Sequence, residues 1–139
     1  MKKKITLMMM VLCFLMSIPL KMMAFDVVTV KSDYDGGSWG NESNDKFNFI
    51  TTDGKIYTCK LDNVPSGTKA IWFRIVKGGK EYGPKSDASQ DLLLTGSSQQ
   101  SYEGKAKALQ MNITPGETSY TITYDYEKNQ IMDDAPEGG

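Results

Sequence analysis

After residue 25 the apolar residues recur at every second position in short runs, and Gly, Pro, Asn and Asp interrupt those runs at close intervals. A helix facing a core needs an apolar stripe with a period near 3.6, so this pattern predicts an all-β domain without a convincing helix. The clearest run is Lys69 to Val76, where Ile71, Phe73 and Ile75 share one side of a strand and Trp72, Arg74 and Val76 share the other. Asp26 to Lys31 reads as the first strand. Phe47 and Phe49 are separated from Ile56 to Leu61 by Thr52-Asp53-Gly54, a hairpin signal because Asp and Gly both tolerate positive φ. Gly78-Gly79 makes the next turn, Gly96 to Gly104 reads as an exposed loop, and Ala106 to Ile113 reads as a weaker strand. Thr118 to Tyr126 alternates Tyr120, Ile122 and Tyr124 against polar neighbours, and Asn129 to Met132 pairs back on it. Seven or eight short strands at this spacing predict an antiparallel, immunoglobulin-like β-sandwich over residues 25–132, with a barrel as the alternative closure.

The first 24 residues have another character. Lys2, Lys3 and Lys4 precede an apolar run from Ile5 to Leu20, and Lys21-Met-Met-Ala24 follows, the order of a secretory signal peptide with cleavage expected after Ala24. Pro19 and Lys21 cut the run short of a membrane span. Cys13 lies within the run behind bulky residues, which does not fit a lipoprotein anchor. The expected product is secreted or periplasmic, with no membrane attachment after cleavage. Removing residues 1–24 takes four lysines and no acid, leaving 12 basic against 17 acidic residues, a formal charge of minus five. The only arginine is Arg74 and the lysines are scattered, so nothing provides the concentrated positive face that nucleic acid requires. The remaining 115 residues suffice for one domain with one core. The stretch 133–139, Asp-Asp-Ala-Pro-Glu-Gly-Gly, reads as a flexible acidic tail.

Chemistry is constrained chiefly by the absence of histidine from the whole chain. Ser-His and Cys-His catalysis, His-ligated zinc and imidazole proton shuttles are thereby excluded. Cys59 loses its only potential partner with the leader, and its alternation with Tyr57 and Leu61 makes it a buried thiol rather than a nucleophile. Ser66-Gly-Thr-Lys69 matches a Ser-x-x-Lys pair but lacks the companion motifs of that chemistry and falls in a turn. Asp33-Tyr-Asp-Gly-Gly resembles the start of a calcium loop, yet Gly37 and Asn44 occupy positions where an EF-hand needs ligands. The expectation is a non-enzyme with no cofactor and no metal.

Binding chemistry has better candidates. Trp72 and Arg74 point together from one strand face, offering a flat ring for the apolar face of a sugar and a rigid set of donors for its hydroxyls. The competing role for the pair is packing at a sheet edge. Trp39, in a loop of Gly, Ser, Asp and Asn, either tucks into the core or serves a ligand, because leaving a whole indole in water forgoes a few kcal/mol of burial. Tyr82, in Glu81-Tyr-Gly-Pro84, has the same two roles open to it.

The order of these features carries a resemblance. A first strand leading to Gly-Gly-Ser-Trp39, a hairpin ending in Lys60-Leu-Asp-Asn-Val-Pro65, the strand Ile71-Trp-Phe-Arg-Ile-Val76, then Tyr82-Gly-Pro84 and Tyr120-Thr-Ile-Thr-Tyr-Asp125 resemble the starch-binding β-sandwich modules of Bacteroidetes surface proteins. The resemblance implies a non-catalytic module that holds an α-glucan on a platform of aromatic rings. It makes Trp39, Trp72 and Tyr82 platform candidates and Arg74 and Lys85 hydrogen-bond donors. The expected partner is a polysaccharide or oligosaccharide. The alternative is a structural or adhesive module of a bacterial surface or secretion assembly, with a surface or secreted protein as partner through an exposed sheet edge.

Overall fold

A computed structural model describes residues 24–43 and 45–134. Among them the chain forms eleven strands and one short 3-10 turn at Tyr34–Gly36. The strands are β1 (Val28–Ser32), β2 (Phe49–Ile50), β3 (Ile56–Leu61), β4 (Ala70–Lys77), β5 (Lys80–Gly83), β6 (Leu92–Leu93), β7 (Gln99–Gln100), β8 (Tyr102–Glu103), β9 (Leu109–Asn112), β10 (Tyr120–Asp125) and β11 (Gln130–Asp133). The tight turns follow from local chemistry. Gly78 and Gly79 take φ of 58° and 75°, the left-handed geometry that a two-residue hairpin demands, and they place Lys77 opposite Lys80. Between β2 and β3, the Asp53 carboxylate accepts the N–H groups of Lys55 and Ile56 at 2.8 and 3.0 Å.

Two sheets result. The first runs β6-β9-β4-β5-β8 and the second β2-β3-β10-β11-β7. In the first sheet, Phe73 pairs with Ser32 and Leu109, while Val76 pairs with Thr29 and Glu81. So β1 takes one edge of β4, and β9 and β5 share the other in succession. Every strand pair is antiparallel except β6 with β9. The inner faces meet in one core: Val30, Phe73, Ile75 and Leu109 from the first sheet, Tyr57, Cys59, Ile122 and Ile131 from the second. The domain is all-β and sandwich-like. Burial at Ile71, Phe73 and Ile75 is complete to within 1%, in line with the alternation along that strand. Cys59 is fully buried between its strand neighbours Phe49 and Ile122, and that burial pushes its thiol up to about 12, where no thiolate forms near neutral pH.

Several expectations need correction. Strands outnumber the seven or eight expected because four two-residue strands, β2, β6, β7 and β8, add themselves to the longer ones. Two of these, β7 and β8, lie in Gly96 to Gly104, which is largely exposed but not loop throughout: Ser101 between them is buried, its N–H and hydroxyl both donating to the Asn129 carbonyl at 2.8 and 2.7 Å. The ordered domain also passes residue 132. Asp133 is buried, with a carboxylate oxygen accepting the Gly96 N–H at 2.9 Å, and Asp134 exchanges bonds with the Thr121 backbone. Backbone N–H groups without strand partners recruit these acids, so they belong to the fold. The expected leader lies outside the described residues apart from Ala24, as do tail residues 135–139. Among the described residues no helix is long and apolar enough to cross a membrane.

Candidate functional site

On the outward face of β4 stands Trp72, which remains 38% exposed. Its indole N–H donates to the side-chain oxygen of Gln110 at 3.2 Å, and Gln110 is its cross-strand neighbour on β9. The Gln110 amide in turn donates to Asn112 at 2.8 Å, which holds it in that orientation. With the polar edge of the indole satisfied inside the sheet, what Trp72 presents to water is chiefly apolar ring.

Arg74, two residues on, is covered from above. Its guanidinium carbon lies 4.6 Å from the ring centre of Trp39, a cation–π contact. Trp39 reaches this position from the loop after β1. The chain closes a tight turn at Ser38–Asn41, with the Asn41 N–H donating to the Ser38 carbonyl at 3.0 Å, and returns to β1, where the Ser43 N–H donates to the Val30 carbonyl at 2.7 Å. The return path passes so close that a Cβ at Gly37 would collide with the Ser32 carbonyl and the Ser43 hydroxyl. Glycine is required there for space rather than for φ.

Arg74 is held from its other side by Glu81. The Arg74 Nε donates to one Glu81 oxygen at 2.8 Å, Lys31 donates to the other at 3.2 Å, and Lys105 lies 3.6 Å from it. Burial pushes the Glu81 carboxyl up, but the hydrogen bonds and charges of Arg74 and Lys31 more than reverse this and hold it below its ordinary value. The carboxylate is therefore ionised across the neutral range and keeps Arg74 aligned against the Trp39 ring.

Trp39, Trp72 and Arg74 line a depression of about 380 Å³ together with Asp33, Asp91 and Lys107. One exposed indole, a guanidinium backed by a second indole, two carboxylates and an ammonium make a chiefly polar lining, which suits a ligand rich in hydroxyls with the Trp72 ring as its apolar contact. Among the described residues no three Asp, Glu or Cys side chains gather as a metal ion would need.

Of the five residues singled out in the sequence, the structure brings Trp39, Trp72 and Arg74 into one place. Tyr82 is elsewhere. Its strand partner is Ile75, so it shares the inward face of the first sheet and packs against the core, with the Lys77 ammonium 5.0 Å from its ring. An aromatic at that register position fills space between the sheets and is removed from the Trp72 platform. Lys85 is also apart, its Nζ 5.5 Å from the Tyr102 ring at a neighbouring depression. Four contributors were not foreseen: Glu81, Asp33, Asp91 and Lys107. Glu81 had a readable signal, since a two-residue turn at Gly78-Gly79 pairs Val76 with Glu81 and sets it diagonal to Arg74. The other three come from loops and had none. No protein-family model matches this chain, and no curated protein matches it at a significant level.

Proposed function

We propose that the protein is a non-catalytic carbohydrate-binding module, exported by removal of residues 1–24, that holds a polysaccharide or oligosaccharide on the outward face of its first sheet. The observation that carries the reading is the exposed ring of Trp72 beside the Arg74–Trp39 stack in one depression. A pyranose stacks its apolar face on Trp72, whose N–H is already engaged, while Arg74 and Lys107 donate to ring hydroxyls and Asp33 and Asp91 accept from them. Glu81 fixes Arg74 before the ligand arrives, which lowers the ordering cost of binding. Nothing in this arrangement calls for bond breaking. Within the same proposal the domain is grouped with immunoglobulin-like modules at the level of architecture, two packed sheets of short antiparallel strands, rather than strand order. The resemblance of the chain to starch-binding modules makes an α-glucan the first ligand to try.

Electrophoresis through gels containing amylose, xylan or a soluble cellulose derivative tests the reading. The wild-type protein is expected to be retarded in at least one gel, and Trp72→Ala to lose roughly ten- to a hundredfold in affinity, in the range of hot-spot aromatics. Equal mobility of both proteins in every gel would remove the proposal.

A second reading has its own observation. Phe25, Val27 and Ile50 are exposed around a depression of about 710 Å³ beside β2, an edge strand of the second sheet. Apolar groups at a sheet edge suit contact with a surface or secreted protein. Cross-linking in secreting cells distinguishes this role: recovery of monomer alone would count against it.

A further inference from the structure

The depression beside Lys85, of about 450 Å³, opens where β6 and β8 of the first sheet approach β7 of the second. Its walls include Pro84, Leu92 and the ring of Tyr102, which is 39% exposed. Amide groups of Gln99 and Gln100 complete it. One Gln99 amide hydrogen goes to the Leu93 carbonyl at 3.0 Å, and Gln100 donates to Lys128 at 2.7 Å, so both amides are held in place. The pocket therefore sets an apolar, aromatic surface beside fixed polar groups, and it is the more apolar of the two, since the exposed lining around Trp72 is chiefly polar.

Two observations tie the depressions together. Asp91 lines both of them. One of its oxygens accepts the Ala108 N–H at 2.8 Å, and the exposed remainder of the carboxylate faces solvent at the junction. In each depression an exposed ring also stands near a cation: Trp72, 38% exposed, shares one with Arg74, and Tyr102, 39% exposed, has the Lys85 ammonium 5.5 Å from its ring. Their separation follows from the sheet. Arg74 lies against Gly83, and Gly83 pairs with Tyr102, so the two sites stand two strand spacings apart, about 10 Å. A single sugar ring on Trp72 does not reach Tyr102.

We propose that the two depressions form one extended site for a linear glycan chain, in which Trp72 and Arg74 hold one part of the chain and Tyr102 and Lys85 grip units further along it, past Asp91. This rests on the carbohydrate reading above and adds to it that the ligand is recognised as a chain rather than as a terminal sugar. Lys85, which the family resemblance groups with the Trp72 platform, acts at the far end of the same ligand.

Calorimetric titration with glucose, maltose and maltohexaose, and with the matching members of the cellulose and xylan series, tests it. In the series that binds, the hexasaccharide is expected to be roughly tenfold tighter than the disaccharide, the size of one added aromatic contact. Tyr102→Ala should bring the hexasaccharide down to the disaccharide value while leaving the disaccharide unchanged, and Lys85→Ala should do so in part. Trp72→Ala should weaken every length. Because Tyr102 and Lys85 are exposed, an unchanged thermal midpoint is expected for their variants. A disaccharide that binds as tightly as the hexasaccharide, or a Tyr102→Ala protein that behaves as wild type at every length, overturns the extended site and leaves the carbohydrate reading standing. Absence of binding by every sugar in every series overturns both.

Discussion

Arg74 and Lys77 stand three residues apart on β4, and each carries its charge over an aromatic ring, but one borders open solvent and the other is enclosed. Arg74 lies on the outward face, stacked on Trp39 and anchored by Glu81. Lys77 lies at the end of the inward row, where its ammonium donates to the Tyr126 carbonyl at 2.6 Å and sits 4.1, 5.0 and 5.4 Å from the rings of Tyr126, Tyr82 and Tyr124. Burial there holds the Lys77 ammonium below its ordinary pKa. An odd spacing on a strand reverses the face, so the same pairing of cation and ring closes the end of the core in one case and borders a depression in the other. A cation over an aromatic ring is thus no mark of a ligand site by itself. Access to the ring is what separates the two regions.

The sharpest way to break this comparison is at the boundary between faces. Phe73→Ala empties a fully buried position and is expected to cost about 3–5 kcal/mol in urea denaturation, whereas its neighbour Trp72→Ala should cost less than about 1 kcal/mol. Similar losses for the two would show that the outward face is structural after all.

The next effect lies in the support of Arg74. The folded-state pKa of Glu81 is depressed, so its stabilisation is fully present above the ordinary value of 4.5 and is lost as pH falls through the lower folded value. Stability and glycan retention should decline together on that acid limb. Glu81→Gln should flatten the decline and cost about 1–3 kcal/mol near neutral pH, because Arg74 and Lys31 keep their charges without the carboxylate. Denaturation series at several pH values, run on both proteins, check this; an unchanged acid limb in Glu81→Gln would assign the decline to other carboxylates.

The smallest effect compares the two cations directly. Arg74→Met should weaken glycan binding by about fivefold while Lys77→Met leaves it unaltered, as expected for one charge that meets the ligand and one that does not. If Lys77→Met weakens binding as much, the caged lysine is coupled to the outer face through β4.

Much of this arrangement is legible in the sequence. The pairing of β2 with β3 around Asp53-Gly54, the turn at Gly78-Gly79 and the burial of Cys59 beside Tyr57 and Leu61 all follow from local rules. The short strands β7 and β8 do not announce themselves, since Gln99, Gln100 and Glu103 lack the apolar alternation that marks a strand; they exist because β11 and β5 offer backbone partners. Tyr82 and Tyr102 show the same contrast at the level of the site. The resemblance implies a platform role for Tyr82, yet counting back through the two-residue turn pairs it with buried Ile75, while Tyr102, in a stretch that reads as loop, is the exposed ring.

The chain by itself determined which side chains of each long strand turn inward, because successive residues of an extended backbone must point to opposite faces whatever surrounds them. It also determined, through the missing histidine, which chemistries were closed to it. Only the tertiary structure decided that Trp39 would lie on Arg74, that Asp33, Asp91 and Lys107 would gather around Trp72, and that Tyr82 would stay away. Those placements depend on where loops come to rest against distant strands, and such contacts are set by the packing of the whole domain rather than by the residues on either side.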